Sequence, residues 1–355
     1  MTIDIQSAGI KSAPIIGLLP HDLKANSYIS QNRKILSQLG TVAPVPAPAA
    51  LLGALLRNVF FRPQIKLYDI LIVNWRENCL TTADRLTLRG VFEYIASMLL
   101  HRASARKLFY VRHNHHPHNL RGQDILRVSR LIAWGEKLAD AVVVHSPAEA
   151  QKPGYYYVPH PLYALDEPKY SSTTVMKQRQ TAPAPGSEYL MIGRIEPYKR
   201  IHEVIAEWSL PSKLTIMGPC TDNRYLQSLK TASEGKNVII EDDFHDESYL
   251  AERVRRAAGV IIANDQSSMI VSGSLFFALS CGTRLFVTES AFARALSDKG
   301  LQNWINIQSG IADLVKAVES SRFSPENQAP PAKEELENLF GETALYRHWR
   351  DVIGS

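Results

Sequence analysis

Four clusters in the chain have residue types and spacings suited to holding an anion and activating a hydroxyl. The first is Gly193-Arg194-Ile195-Glu196-Pro197-Tyr198-Lys199, directly after the apolar run 189–192. A strand that ends in a glycine turn, with Arg194 and Lys199 beyond it, offers two cations to one diphosphate. A helix expected from about Tyr198 would add the positive end of its dipole. The second cluster, Ser272-Gly273-Ser274, opens an apolar helix expected over 274–280. Its backbone N–H groups and hydroxyls make a nest for phosphate or ribose oxygens, although the same residues also read as a plain helix cap. The third, Asn74-Trp75-Arg76-Glu77-Asn78, follows the apolar run 70–73, and the fourth, Arg112-His113-Asn114-His115-His116-Pro117-His118-Asn119, follows 107–111.

The elements that must position these clusters alternate along the chain. Strands are expected at 15–19, 41–45, 70–73, 107–111 and 141–144, with helices over 30–39, 86–101 and 125–138 between them. Residues 155–161 read as the last strand of this half and its exit, where His160 either faces the cleft or, the favoured reading, is structural. The Pro- and Ser-rich stretch 166–187 reads as a linker. A second series follows: strands at 189–192, 213–217, 238–240, 259–263 and 284–287, with helices at 200–208, 247–257 and 274–280. A final helix is expected over about 333–352, with Trp349, like Trp134 in the first half, packing between helices. The reading is α/β, two Rossmann-like doubly wound parallel-sheet domains at 1–165 and 188–330, facing across a cleft. The helix at 331–355 is placed to cross back. Ligands in such sheets sit at the carboxyl ends of the strands, where all four clusters fall.

A chain of 355 residues fits two cores better than one. Cys79, Cys220 and Cys281 are far apart, which argues against a disulfide framework and for a reducing compartment. No run of about 20 apolar residues is present, nor a leader-like N-terminus, so a cytoplasmic protein is expected. Charge is uneven: Lys and Arg outnumber Asp and Glu by 19 to 10 in residues 1–165 and fall behind by 21 to 25 in 166–355. The basic half suits an anionic lipid surface or lipid-linked phosphate. Nucleic acid is not expected as a partner, because no recognition motif accompanies the charge. The segment 51–62 and the helix carrying Leu88, Phe92, Ile95 and Leu99 on one stripe read either as core helices or as helices lying in a membrane interface.

In order and spacing the clusters resemble the GT-B glycosyltransferases of bacterial exopolysaccharide assembly, the xanthan-type β-mannosyltransferases above all. The resemblance rests on Asn26-Ser27-Tyr28, Trp75-Arg76-Glu77, His113-Asn114 with Pro117-His118, Pro197-Tyr198-Lys199, and Ser272-Gly273-Ser274 leading into Ala278-Leu279-Ser280. It departs where that group usually has Pro and Glu and this chain has Arg76 and Asn119. The Glu-x7-Glu pair of the larger retaining group aligns with Met269 and Phe277, so inversion is the expected outcome.

The resemblance implies a hexosyltransferase that takes a nucleotide-sugar donor, GDP-mannose in preference, to a polyprenyl-diphosphate-linked glycan at the inner membrane face. The donor would be gripped by Gly193, Arg194, Lys199, Ser272, Gly273 and Ser274. Asn26, Tyr28, Trp75 and Asn114 would line the acceptor side. An inverting transfer needs a general base; Glu77, His113 and His118 are the candidates, and Glu77 is favoured. Residues 244–247 would meet the nucleotide base through backbone contacts. Neither metal nor cofactor is expected: His113, His115, His116 and His118 have no Cys partners and no helical HExxH spacing. The alternatives are a UDP-sugar (glucosyl or glucuronosyl) transferase, a retaining enzyme, a sugar-nucleotide epimerase of the same fold, and a non-catalytic GT-B subunit that binds nucleotide or glycan.

Overall fold

The structure, a computed structural model, describes residues 13–22, 26–61, 66–82, 84–118, 120, 122–165, 187–265, 270–320 and 333–355. The linker placed at 166–187 lies outside the described residues apart from Ser187.

The first half forms strands β1 (Ile15–Leu19), β2 (Thr41–Pro44), β3 (Tyr68–Asn74), β6 (Ala105–Arg112), β7 (Ala141–Val144) and β8 (Tyr155–Tyr157), with a small hairpin of β4 (Thr81–Thr82) and β5 (Arg85–Leu86). The six long strands are all parallel, in the order β2-β1-β3-β6-β7-β8. Helices α1 (Ser27–Leu36), α2 (Pro48–Phe61), α3 (Leu88–Ser104) and α4 (Gln123–Leu138) connect them. Strands buried on both faces read as unbroken apolar runs, which is why 70–73 and 141–144 stood out in the sequence.

The second half repeats the plan with β9 (Glu188–Ile192), β10 (Lys213–Met217), β11 (Val238–Glu241), β12 (Gly259–Ile262), β13 (Leu285–Thr288) and β14 (Ile305–Gln308), in the parallel order β11-β10-β9-β12-β13-β14. Strand order reverses between β1 and β3 in one sheet and between β9 and β12 in the other. These reversals open the crevices in which parallel sheets bind ligands.

Each sheet is covered on both faces by apolar side chains. The C-terminal segment is two helices, Lys333–Phe340 and Glu342–Gly354, not the single one expected. They meet at Gly341, where a Cβ would lie 2.5 Å from the Glu337 carbonyl oxygen. Leu336 and Phe340 belong to the core of the second sheet, whereas Leu345, Trp349 and Val352 join Ile16, Ile35 and Phe109 under the first. The chain therefore crosses back to the first half at Gly341. There the Trp349 indole N–H donates to Asn32 Oδ1 at 2.9 Å, and Lys107 Nζ donates to the Ile353 carbonyl at 3.3 Å.

Candidate active site

One wall of the cleft is built where β9 ends. Gly193 takes φ 85, a left-handed conformation that favours glycine. A Cβ there would fall 2.9 Å from Lys199 Nζ and 3.0 Å from Ser274 Oγ, so two polar groups converge on this turn. Both donate to the Ile192 carbonyl, at 2.6 and 3.0 Å. Gly218, at the end of β10, brings its α-carbon so close that a Cβ would sit 2.6 Å from the Gly193 oxygen. Arg194 stays exposed beside Glu196, 3.2 Å away.

The helix expected from Tyr198 begins later. Pro197–Lys199 is a single 3-10 turn, Arg200 takes φ 54, and the helix runs over Ile201–Glu207. Lys199 is thereby buried and points back to the strand end instead of lying along a helix. A helix N-terminus does face the cleft, but it is that of Gly273–Ser280, capped by Ser272 Oγ accepting from the Leu275 N–H at 3.3 Å. Ser272 caps and lines the cleft at once, with Gly273 and Ser274 beside it.

The facing wall comes from the ends of β1, β3, β6 and β7. Asn26-Ser27-Tyr28 is the start of α1: Asn26 Oδ1 caps it, accepting from the Ile29 N–H at 3.1 Å. Tyr28 is buried, its ring 5.0 to 5.3 Å from those of Trp75, His113, His145 and His160. Trp75 takes φ 51, unfavourable for a bulky residue, and stacks on His113 at 4.4 Å.

Hydrogen bonds inside this cluster fix its protons. His145 Nδ1 donates to the Val158 carbonyl at 2.7 Å, so in the neutral ring Nε2 accepts from the Tyr28 hydroxyl at 2.9 Å. Asn74 Nδ2 donates to the Leu19 carbonyl at 3.1 Å, which turns Oδ1 toward His113 Nε2, also at 3.1 Å. His113 consequently carries its proton on Nε2 and its lone pair on Nδ1. His160 Nδ1 donates to the Pro161 carbonyl at 2.8 Å, which leaves Nε2 as its acceptor atom. Burial holds His113 well below the usual imidazole range, with His145 and His160 adding to the effect. Burial likewise pushes His145 down to about 4 and His160 to about 3.

The histidine run divides among different partners. His113 joins the cluster above; His115 lies 3.9 Å from Glu149, and His116 Nδ1 donates to the Pro117 carbonyl at 3.0 Å. His118 crosses to the second domain, stacking on Tyr198 at 3.9 Å, and is pushed down to about 4 by burial and then by Arg194. Arg112 ties the loop down, with Nε on the Asn114 carbonyl at 3.1 Å and Nη2 on that of His115 at 3.0 Å. Among the described residues no three His, Cys, Asp or Glu side chains gather at metal-binding distance.

Glu77 is the correction. It is fully buried below the cleft, accepting from the Tyr110 hydroxyl at 2.7 Å, and its Oε1 has no partner. Burial raises its pKa. Its side chain is absent from the cleft lining, whereas its neighbours Trp75 and Asn78 line it.

The two walls enclose a cleft of about 330 Å³ that takes in Asn26, Tyr28, Trp75, His113, Asn114, His118, Arg194 and the Ser272–Ser274 turn. Lys199 lies just behind it. The sequence reading missed His145 and Tyr163 and favoured a structural place for His160, which lines the cleft; Asn74 and Asn78 lie in its third cluster and Glu247 in the segment 244–247, none with a role of its own. Position was the available signal: His145 follows β7 as His113 follows β6 and Trp75 follows β3. The domains touch across the cleft through the Ile270 N–H on the His113 carbonyl at 3.3 Å and through the Ser27 hydroxyl on Glu247.

No protein-family model matches the chain, and no curated protein sequence does. Solved structures do. HepE from Anabaena, solved in complex with UDP and glucose, aligns at 14% identity over 96% of this chain and 99% of its own, with a TM-score of 0.61. Sucrose-phosphate synthase from Thermosynechococcus elongatus aligns at 14% identity over 96% and 98%, with a TM-score of 0.62. WaaG, a glycosyltransferase of lipopolysaccharide biosynthesis, aligns at 12% identity over 96% and 98%, with a TM-score of 0.58. At such identities the architecture is what is shared. With two facing parallel sheets, a cleft at their strand ends and a C-terminal helix that returns to the first sheet, the chain has the GT-B fold.

Proposed function

We propose that the protein is a glycosyltransferase that moves a hexose from a nucleoside-diphosphate donor to a hydroxyl of a lipid-linked oligosaccharide, with inversion, in the assembly of a surface polysaccharide. The observation that carries this reading is the convergence of Lys199 Nζ and Ser274 Oγ on the Gly193 turn, opposite a neutral histidine held in one tautomer. Arg194, Lys199 and the helix end at Ser272–Ser274 would hold the diphosphate and take up the charge that develops as the sugar–phosphate bond breaks. On the other wall His113 Nδ1 would receive the acceptor's proton as its oxygen bonds the anomeric carbon from the opposite face. Asn74, kept in orientation by the Leu19 carbonyl, would keep His113 in the base form.

The resemblance to xanthan-type enzymes favours GDP-mannose as donor. HepE, solved with UDP-glucose, supports a UDP-hexose as the second reading. A thermal-shift series with GDP, UDP, GDP-mannose, UDP-glucose and UDP-glucuronate separates them: a donor at 100 times its Kd adds about 2.7 kcal/mol to a fold that binds it only when native. The preferred donor should then be turned over by the native chain and not by His113→Ala, with affinity unchanged. A chain that responds to no nucleotide is not a transferase, and one that binds donor yet never releases sugar to any acceptor is a non-catalytic subunit.

A further inference from the structure

Helix α3 is apolar on two faces. Tyr94 and Met98 point into the core and are wholly buried, but Leu88 is 90% exposed, Phe92 75% and Leu99 50%. At roughly 100° per residue positions 88, 92 and 99 lie within one narrow arc, so they form a ridge along the outside. The helices that pack on either side of α3 extend it: Leu52 and Leu56 protrude from α2, and Leu126 from α4. The stripe expected either in the core or at an interface is therefore turned outward.

Charge sets the identity of what it meets. Arg57, Arg85, Arg89 and Arg130 are exposed among these side chains, and none is paired with a carboxylate among the described residues. The acids on the same helices, Glu93, Asp124 and Glu136, are already paired with Arg76, Arg127 and Arg112. Separate protruding apolar side chains interspersed with unpaired arginines suit a fluid anionic surface, where the apolar groups enter the acyl boundary and guanidinium groups meet phosphate. Among the described residues no helix is long and apolar enough to cross a membrane, so contact would be from one side.

We propose that the outer face of α2, α3 and α4 docks the protein on an anionic lipid bilayer, with Leu88, Phe92 and Leu99 inserted. The face is mechanically tied to the cleft. Gly90 of α3 lies so close to the Arg76–Leu80 turn that a Cβ would meet the Cys79 carbonyl oxygen at 2.3 Å. That turn carries Asn78 and follows Trp75, both of which line the cleft. The docking face and this wall of the cleft are thus joined through one close helix–turn contact. The inference stands on this surface alone and does not require the donor reading.

The test is flotation of the full chain with vesicles of phosphatidylcholine alone or with about 30% phosphatidylglycerol, at an ionic strength where the Debye length is about 8 Å. The native chain is expected to float with the anionic vesicles. Leu88→Ser combined with Phe92→Ser should bind them at least about tenfold more weakly, because each side chain gives up its burial. Arg85→Glu with Arg89→Glu should abolish the preference for phosphatidylglycerol. If the serine pair lowers the melting temperature, Leu88→Ala with Phe92→Ala gives the same reading. The proposal is overturned if the native chain stays unbound, or if the variants float as it does. It is also overturned if sedimentation without lipid shows a dimer that the serine pair dissolves, since the face then belongs to a second copy. Donor binding, measured calorimetrically on the same variants, is expected to be unchanged; its absence from every chain would remove the transferase reading and leave the docking result standing.

Discussion

Donor binding should take up a proton, and Lys199 should be the residue that takes it. Burial pushes the Lys199 ammonium from 10.5 down to about 7, with Glu196 pulling up and Arg194 pushing down by smaller amounts. That fall corresponds to about 5 kcal/mol set against the charged form. In the free protein the penalty is full below pH 7 and is relieved as the pH rises toward 10.5, because in that window the unfolded chain binds the proton and the folded chain does not. A diphosphate beside Nζ restores the charge. At pH 7 about half of the molecules hold the neutral amine, so binding should draw in about 0.5 proton per donor. If only the protonated form binds, affinity at pH 8 should be about tenfold weaker than at pH 6. A sugar-linked diphosphate is the right ligand, since its phosphates do not titrate in this range. The assay is calorimetric titration in buffers of different protonation enthalpy, on the native chain and on Lys199→Arg, whose guanidinium keeps its proton throughout. Cleft histidines also lie near the donor, so the difference between the two chains is the quantity read. Uptake that is absent from the native chain, or as large in Lys199→Arg, refutes the reasoning.

Two further outcomes follow from buried groups. Glu77→Gln should keep kcat within a factor of about two, since the side chain is buried outside the cleft lining. It should also make the protein more stable at pH 8: a carboxyl whose folded pKa is raised carries no penalty below its unfolded value and an increasing one as the pH climbs past it. Chemical denaturation at pH 4 and pH 8 checks the sign, and loss of turnover in a folded Glu77→Gln chain would return the base to that residue. Trp349→Ala should cost about 3–5 kcal/mol by emptying a fully buried site where the last helix docks. Because Asn32 joins that indole to the Tyr28 carbonyl at 2.9 Å, the change should lower kcat more than donor affinity. Equal losses in both would place the crossing helix outside the mechanism.

Much of the scaffold was legible because strands with helices on both faces must be apolar throughout, and 70–73, 141–144 and 189–192 are. Elements with weaker demands were not. The helix Asn223–Ser233 buries only Leu226 and Leu229, and the edge strand β14 shows an alternation of just four residues. At the site, the residue types were legible and their directions were not. Trp75 at φ 51 and Arg200 at φ 54 are non-glycine residues in left-handed backbone, which no periodicity announces. Each reverses the side chains around it. The first sends Glu77 into the core and leaves Trp75 and Asn78 in the cleft; the second ends the turn that buries Lys199. His145 was missed for a different reason: it stands alone after its strand, with no neighbouring motif to mark it.

These directions give the cleft an unusual electrical state. Its histidines are neutral through burial, its lysine is half discharged, and among the described residues that line it Glu247 is the one carboxylate, already engaged by Ser27. Arg194, paired with Glu196 at 3.2 Å, would exchange that partner for the diphosphate. Here the ligand's own charge would restore the charge on Lys199 and raise the basicity of His113, so that clamp and base gain strength together when donor is present. Water entering without donor would meet a weaker base and a weaker clamp. The same burial that makes these groups poor acids and bases at rest would thus tie their activation to the nucleotide.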